Sequence, residues 1–322
     1  MILAGDIGGT TTRLGLFEPA VPRPRAVAIR TYATLAFDGL PAMISAFASE
    51  PDVRGAEVRT GCFGVAGPVL GDRAELTNVP WVVDARGVER AFDIARVALL
   101  NDLQAMAYGV TTLEAGDVLT LQEGEARADG NVALIAAGTG LGQALLHNVD
   151  GRLIPSPTEA GHADYAARTE RDIDVLRDLT QRFGRAEVEQ VVSGPGLVNL
   201  HRVTHVGPCL ALDGEPGADA PARIATAAIE RRCRGCMDAL GLFVDAYGAE
   251  AGNLALRSLA TGGVFVGGGI APKILPAMTD GRFLRAFLDK DPMTPLLSRM
   301  PLRIILHPEP GLLGAALFAS LL

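Results

Sequence analysis

Hydrophobic and polar positions along the chain alternate in short blocks. Residues 2–7, "ILAGDI", are apolar on both faces apart from one aspartate, the pattern of a central strand. "GGTTT" is a turn, and "RLGLF" predicts a second strand, so 2–17 reads as a β-hairpin. "GLPAMISAFASE" has helical spacing, and "EVRTGCFGVAGPV" predicts a buried strand ending in glycines. "RVALLND" predicts a short strand whose end carries Asn101 and Asp102, and "LQAMAYGVTTLE" a helix. The first third thus reads as strand, strand, helix, strand, helix, strand, helix: a mixed α/β sheet.

The pattern then restarts. "VALIAAGTGLGQALL" repeats the layout of 3–17, an apolar strand, a Gly/Thr turn and an apolar strand, without matching it residue by residue. Such a repeat predicts two related domains facing each other. "ATGGVFVGGGIAPKIL" is a third strand–glycine–helix junction, with Pro272 placed for a helical first turn. "LDGEPGADAPAR" reads as an exposed loop and "PGLLGAALFASLL" as a buried terminal helix.

Composition narrows the function classes. With 322 residues, 48% of them hydrophobic, the chain can bury a sizeable core. A net charge of −8 and no basic run longer than "VPRPRA" argue against nucleic acid and anionic membranes as partners. The longest apolar stretches, near 132–146 and 258–272, are short and broken by glycines, so they are poor membrane spans. "MILAGD" shows no signal peptide. Cys62, Cys209, Cys233 and Cys236 do not form a disulfide framework, which predicts a reducing, cytosolic location. Cys233 and Cys236 make one CxxC in "IERRCRGCMDALGLF". With no second CxxC, they read as two cysteines on adjacent turns of a helix rather than as a zinc or redox pair.

The glycine turns carry the chemistry. Glycine lets backbone approach a ligand closely, and successive amides in such a turn form an anion nest. In "GDIGGTTT", Gly8 and Gly9 open the backbone, Thr10, Thr11 and Thr12 add hydroxyls, and Asp6 is a hard oxygen ligand of the kind Mg²⁺ takes directly or through water. In "AAGTGLG", Gly138, Thr139, Gly140 and Gly142 supply a second nest. Gly267, Gly268 and Gly269 leave room for adenine and its ribose on the backbone. One such turn is often only a turn. "GTGLG" lacks the GxGxxG spacing, and no GK[ST] occurs in a chain whose only lysines are Lys273 and Lys290. Three such turns in this order, the first with an aspartate, are far more specific.

Asp102 reads either as a helix N-cap or as a carboxylate at a strand's carboxyl end, facing the crevice where α/β sheets bind ligands. There it can take a proton from an attacking hydroxyl, while Asn101 bonds a neighbouring one. Glu159 and His162 in "SPTEAGHADYA" form either a solvated surface loop or a polyol clamp. Glu189, Asn78 and Trp81 are further candidates, Trp81 equally at home in the core.

"GDIGGTTTR", "GVAGPV", "LTNVPW", "LLNDLQA", "AAGTGLG", "EAGHADYA", "SGPGLVNL", "GGVFVGGGIAPK" and "HPEPGLLGAA" together resemble, in order, the signatures of bacterial glucokinases of the hexokinase–actin–chaperone ATPase superfamily. The resemblance implies a two-domain actin-like, ribonuclease H-like α/β fold with an interdomain active-site cleft. A small domain would comprise about 1–112 plus 303–322, and a large domain 113–302. It implies ATP:glucose 6-phosphotransferase activity with Mg²⁺, in the cytoplasm, commonly as a homodimer. Gly5, Asp6, Ile7, Gly8, Gly9 and Thr10, with Thr11 beside them, match the ATP-phosphate segment. Asp102 matches the catalytic base, and Asn101, Glu159 and His162 match glucose contacts, with Asn78 in the "LTNVPW" signature. One further sugar-binding glutamate precedes "SGPGL", a position that Glu189 or Gln190 occupies. The cysteine-rich zinc signature of the related repressor–kinase group is absent. The alternatives are a kinase for another hexose, such as mannose or fructose, and a sugar-sensing regulator. The latter usually adds a DNA-binding module, for which a first strand at residue 2 leaves no N-terminal room.

Overall fold

In the computed structural model, which describes residues 1–76, 79–205, 207–209, 211–212 and 217–322, the hairpin comes first. β1 (Ile2–Ile7) pairs antiparallel with β2 (Thr11–Glu18), setting Asp6 opposite Arg13 and Ile7 opposite Thr12. β3 (Arg25–Ala33) extends this hairpin as an edge strand. Its outer residues are mostly exposed, so it lacks the apolar pattern that announces a central strand. α1 (Leu40–Ala48) buries Leu40, Met43, Ile44 and Phe47 on one face. β4 (Thr60–Val65) runs parallel to β1. β5 (Val69–Leu70), β6 (Arg73–Glu75) and β7 (Val82–Asp84) make a small sheet of their own. α2 (Ala85–Phe92), N-capped by Asp84, leads to β8 (Arg96–Asn101), parallel to β4, and then to α3 (Asp102–Val110).

The resulting sheet has the order β3-β2-β1-β4-β8. Because β1, β4 and β8 are parallel, Asp6, Gly64 and Asn101 come out along one edge, the carboxyl end where α/β sheets take ligands. The C-terminal helix Pro310–Ala319 lies against α3 at backbone contact. A Cβ on Gly314 would stand 1.7 Å from the Ala105 carbonyl oxygen, and one on Gly109 2.1 Å from that of Pro310. Only glycine fits at this crossing. These elements make one compact unit, Met1–Ala115 with His307–Leu322.

The second unit, Gly116–Leu306, repeats the plan. β9 (Val118–Gln122) precedes β10 (Val132–Ala137), which pairs antiparallel with β11 (Leu141–Val149), itself antiparallel to β12 (Arg152–Thr158). Four helices follow: α4 (Glu170–Phe183), α5 (Gly194–Thr204), α6 (Ala220–Ile229) and α7 (Arg234–Ser258). β13 (Gly263–Gly267) returns parallel to β10. α8 (Leu275–Met278), α9 (Arg282–Leu288) and α10 (Thr294–Leu297) lead to β14 (Leu302–Ile305), parallel to β13. The order β12-β11-β10-β13-β14-β9 matches that of the first sheet strand for strand, with one strand added at the edge.

α7 runs through the core of this unit, with Phe243 and Tyr247 fully buried. Cys233 and Cys236 do not lie on adjacent turns of one helix. α6 ends at Ile229, Arg231 takes a left-handed φ of 57°, and Cys233 is the extended N-cap of α7, accepting the Cys236 amide. Among the described residues no helix is long and apolar enough to cross a membrane.

Candidate active site

The first glycine turn is built by its neighbours. The Gly8 amide donates to Thr11 O at 3.1 Å, and the Thr34 amide to Thr10 O at 3.0 Å. The Thr34 hydroxyl donates to Gly8 O at 2.8 Å and lies 2.9 Å from the buried Thr12 hydroxyl. Thr12 and Thr34 thus hold the loop from beneath, leaving Gly9 and Thr10 toward solvent. Thr34 escaped the sequence reading because it stands 22 residues from its hydroxyl partner.

Asp6 sits at the foot of this turn, its side chain 28% exposed. Its carboxyl is pushed up to about 6 by burial; Arg13 opposes the shift, while Asp102 and Glu309 add to it. The Arg13 guanidinium is 3.8 Å from Asp6 and 3.4 Å from Glu309, so one cation serves two carboxylates. Such an acid-rich corner fits a hard divalent cation.

The capping role considered for Asp102 falls mainly to Asn101. Asn101 is the N-cap of α3: its Oδ1 accepts the amides of Leu103 at 3.0 Å and Gln104 at 3.4 Å. Its Nδ2 donates to Gly67 O at 3.4 Å. Asp102 is the exposed first residue of the helix and accepts the Leu103 amide at 2.8 Å. Gly64 sits beneath it, where a Cβ would lie 2.9 Å from that of Ala105. Asn78 lies outside the described residues. Trp81 is 6% exposed and belongs to the core.

In the second unit, Gly138, Thr139 and Gly140 form the turn between β10 and β11, closed by the Gly138 amide donating to Gly140 O at 2.8 Å. Gly142 lies within β11, opposite Ala136, so it belongs to the strand. Gly267 ends β13, and Gly268 takes a φ of 83° with Ala137 O behind it, where a Cβ would approach to 2.3 Å. Gly269 is open to solvent. Tyr247 holds both turns from below. Its hydroxyl accepts the Ala137 amide at 3.2 Å and lies 3.2 Å from Gly267 O. Above these turns is a cavity of about 1080 Å³, lined by Gly138, Thr139, Gly194, Pro221, Gly269 and Lys273 among others, large and apolar enough for a nucleoside.

Glu159, His162 and Glu189 are brought together on one side of the same unit. Glu159 and His162 are exposed, the first capping and the second ending a single helical turn after β12. The Glu189 amide donates to Gly161 O at 2.9 Å, and its Oε2 accepts the Leu141 amide at 2.8 Å. Gln190 turns away, its Oε1 accepting the Glu187 amide at 3.1 Å. Glu189, not Gln190, therefore faces the Gly–Thr–Gly turn. Glu187, which the sequence reading passed over, accepts a hydrogen bond from His162 Nδ1–H at 2.7 Å. That bond raises the His162 pKa above its ordinary value; burial opposes the rise, and Glu189, Glu187 and Glu159 assist it by charge.

A sheet plan used twice, with glycine turns at the ends of its parallel strands, places the chain in the actin-like ATPase fold class to which sugar kinases belong. The glucokinase family model matches residues 3–322. A glucokinase of Nostoc sp. is 38% identical, with 99% of each chain covered. A glucokinase of Photorhabdus laumondii is 35% identical over 98% of this chain and 96% of its own. The crystal structure of a glucokinase from an Antarctic psychrotroph superposes with a TM-score of 0.89 at 28% identity, covering 100% of this chain and 99% of the other. A ROK-family glucokinase from Streptomyces griseus, in complex with glucose and AMPPNP, shares the fold at a TM-score of 0.66 and 22% identity, with 99% of each chain covered. The chain belongs to the glucokinase family.

Proposed function

We propose that this chain transfers the γ-phosphoryl group of ATP to the 6-hydroxyl of D-glucose, giving glucose 6-phosphate and ADP. The observation that carries the residue assignment is the division of labour at the start of α3. Asn101 caps the helix, and Asp102 stands exposed at the strand-end edge that also bears the Asp6 turn. A carboxylate there accepts the proton of the attacking hydroxyl, worth typically ~10²–10⁴-fold.

The rest is positioning and charge neutralisation, as phosphoryl transfer requires. The amides and hydroxyls of Gly8, Gly9, Thr10 and Thr11 take the phosphates at the first turn, and Gly138, Thr139 and Gly140 take them at the second. The cavity beside Gly267, Gly268 and Gly269 takes the adenosine. Asp6 would hold Mg²⁺, and the ion would neutralise phosphate charge. Glu159, His162 and Glu189, with Asn101, bind the sugar hydroxyls. With Nδ1–H committed to Glu187, His162 presents Nε2 to a hydroxyl, and protonation makes it a donor. Cytoplasmic location and a homodimeric state follow from the same reading, the latter tested by light scattering on the purified protein.

ADP release measured with Mg·ATP against glucose, mannose and fructose tests the activity. Turnover with mannose or fructose but not glucose would replace the substrate. Asp102→Asn tests the base. It keeps size and most hydrogen bonds, so kcat should fall by at least ~10²-fold while glucose binding by calorimetry persists. Near-normal kcat in that variant would remove Asp102 from the mechanism.

A further inference from the structure

Three thiols and two imidazoles converge where α5 and α7 meet, away from the glycine turns. His201 lies in the last turn of α5 and His205 is its C-cap; Cys233 is the N-cap of α7, and Cys236 lies in its first turn. Cys209, from the segment between them, joins the two groups. Its Sγ is 3.8 Å from that of Cys233 and 3.7 Å from that of Cys236. The three sulfurs lie within 4.8 Å of one another, as do the ligand atoms of His201, His205 and Cys209.

The sulfur spacing is compatible with a metal. A disulfide needs its sulfurs about 2.05 Å apart. Around a tetrahedral zinc with Zn–S of about 2.3 Å, neighbouring thiolates stand about 3.8 Å apart. Thiols in simple contact have a similar separation, so the surroundings decide. His201 is 7% exposed, yet among the described residues its Nε2 has no hydrogen-bond partner, a rare condition for a buried nitrogen. His205 Nδ1 lies 3.1 Å from Gly207 O. A carbonyl only accepts, so Nδ1 carries the proton and Nε2 presents its lone pair, the arrangement that orients metal-binding histidines. The His205 ring packs on Gly235, inside the CxxC, where a Cβ would lie 2.5 Å from its Cδ2.

Backbone amides also point at the sulfurs. The Cys236 amide donates to Cys233 Sγ at 3.5 Å, and the Ala211 amide to Cys209 Sγ at 3.4 Å.

We propose that Cys209, Cys233 and Cys236 bind a zinc ion, with the fourth ligand supplied by the adjoining His201–His205 pair. The ion is structural. It ties the segment carrying Cys209 to the start of α7 and the end of α5, whose other end lines the nucleoside cavity. The proposal is independent of which hexose the enzyme takes.

The test uses the full chain, purified in reductant without a metal-binding tag, loaded with zinc and passed through gel filtration. Elemental analysis should find about one zinc per chain, with X-ray absorption giving Zn–S near 2.3 Å. Cobalt in its place should show the visible bands of a tetrahedral thiolate site. Cys209→Ser should retain less than about a tenth of the zinc, and the double variant His201→Ala, His205→Ala should bind it at least ~10-fold more weakly. If Cys209→Ser does not fold, titrating wild-type thiols with a mercurial should release zinc stoichiometrically to an indicator dye. Zinc below about a tenth of an equivalent in the loaded wild type, zinc retained by Cys209→Ser, or mercurial titration without release would each overturn the proposal.

Discussion

Replacing Asp6 by asparagine separates the stability cost of this carboxylate from the phosphate-site role proposed for it. The folded protein holds the Asp6 proton up to about pH 6, against an ordinary value of 3.8. Burial is the main cause. The nearest cation, Arg13 at 3.8 Å, is shared with Glu309 at 3.4 Å and does not compensate. Between pH 3.8 and about 6 the folded state therefore binds more protons than the unfolded chain, so stability falls as pH rises through that window. At 1.36 kcal/mol per pK unit the loss is about 3 kcal/mol and is complete above pH 6 to 7. Asparagine carries no charge to bury. Asp6→Asn should be more stable than wild type by up to about 3 kcal/mol at pH 8, and close to it near pH 4. Urea unfolding at a series of pH values without ligands would show two curves that diverge as pH rises. The same variant should lose most of its turnover while still binding glucose in calorimetry. Parallel stability curves would show that Asp6 is not strained by burial, and near-normal kcat would remove it from the phosphate and Mg²⁺ site.

Gly314→Ala should destabilise the first unit by at least about 1–3 kcal/mol, because its Cβ would meet the Ala105 carbonyl at 1.7 Å; an unchanged Tm would refute the backbone contact. Glu187→Gln should lower the His162 pKa, since the carboxylate is the chief cause of its rise. The imidazolium would then be lost at lower pH, and the rise of KM for glucose with pH should begin earlier than in wild type while kcat changes little. An unshifted KM profile would show that His162 does not bind the sugar as a donor.

Local chemistry made much of this protein legible in its sequence. Strand 2–7, its glycine turn and the returning strand are set by hydrogen bonds and φ preferences within about 15 residues, and the same holds for β10 and β11. The repeat was visible because each copy encodes its own hairpin. Asp102 was placed at a strand end by its immediate neighbours. What escaped depended on partners far along the chain. β3 is an edge strand that buries too little to show a pattern. Only the structure shows that Asn101, not Asp102, is the principal cap of α3, because that rests on which side chain turns toward the Gln104 amide. Thr34 supports Gly8 across 26 residues, and Glu187 reaches His162 across 25. Cys209 joins Cys233 across 24, turning what reads locally as a helical CxxC into a cluster of three thiols. Turn and strand propensities act through the backbone over a few residues and can be read in order. Side-chain constellations form when separate elements pack, so the tertiary structure alone decided which carboxylate, hydroxyl or thiol met which partner.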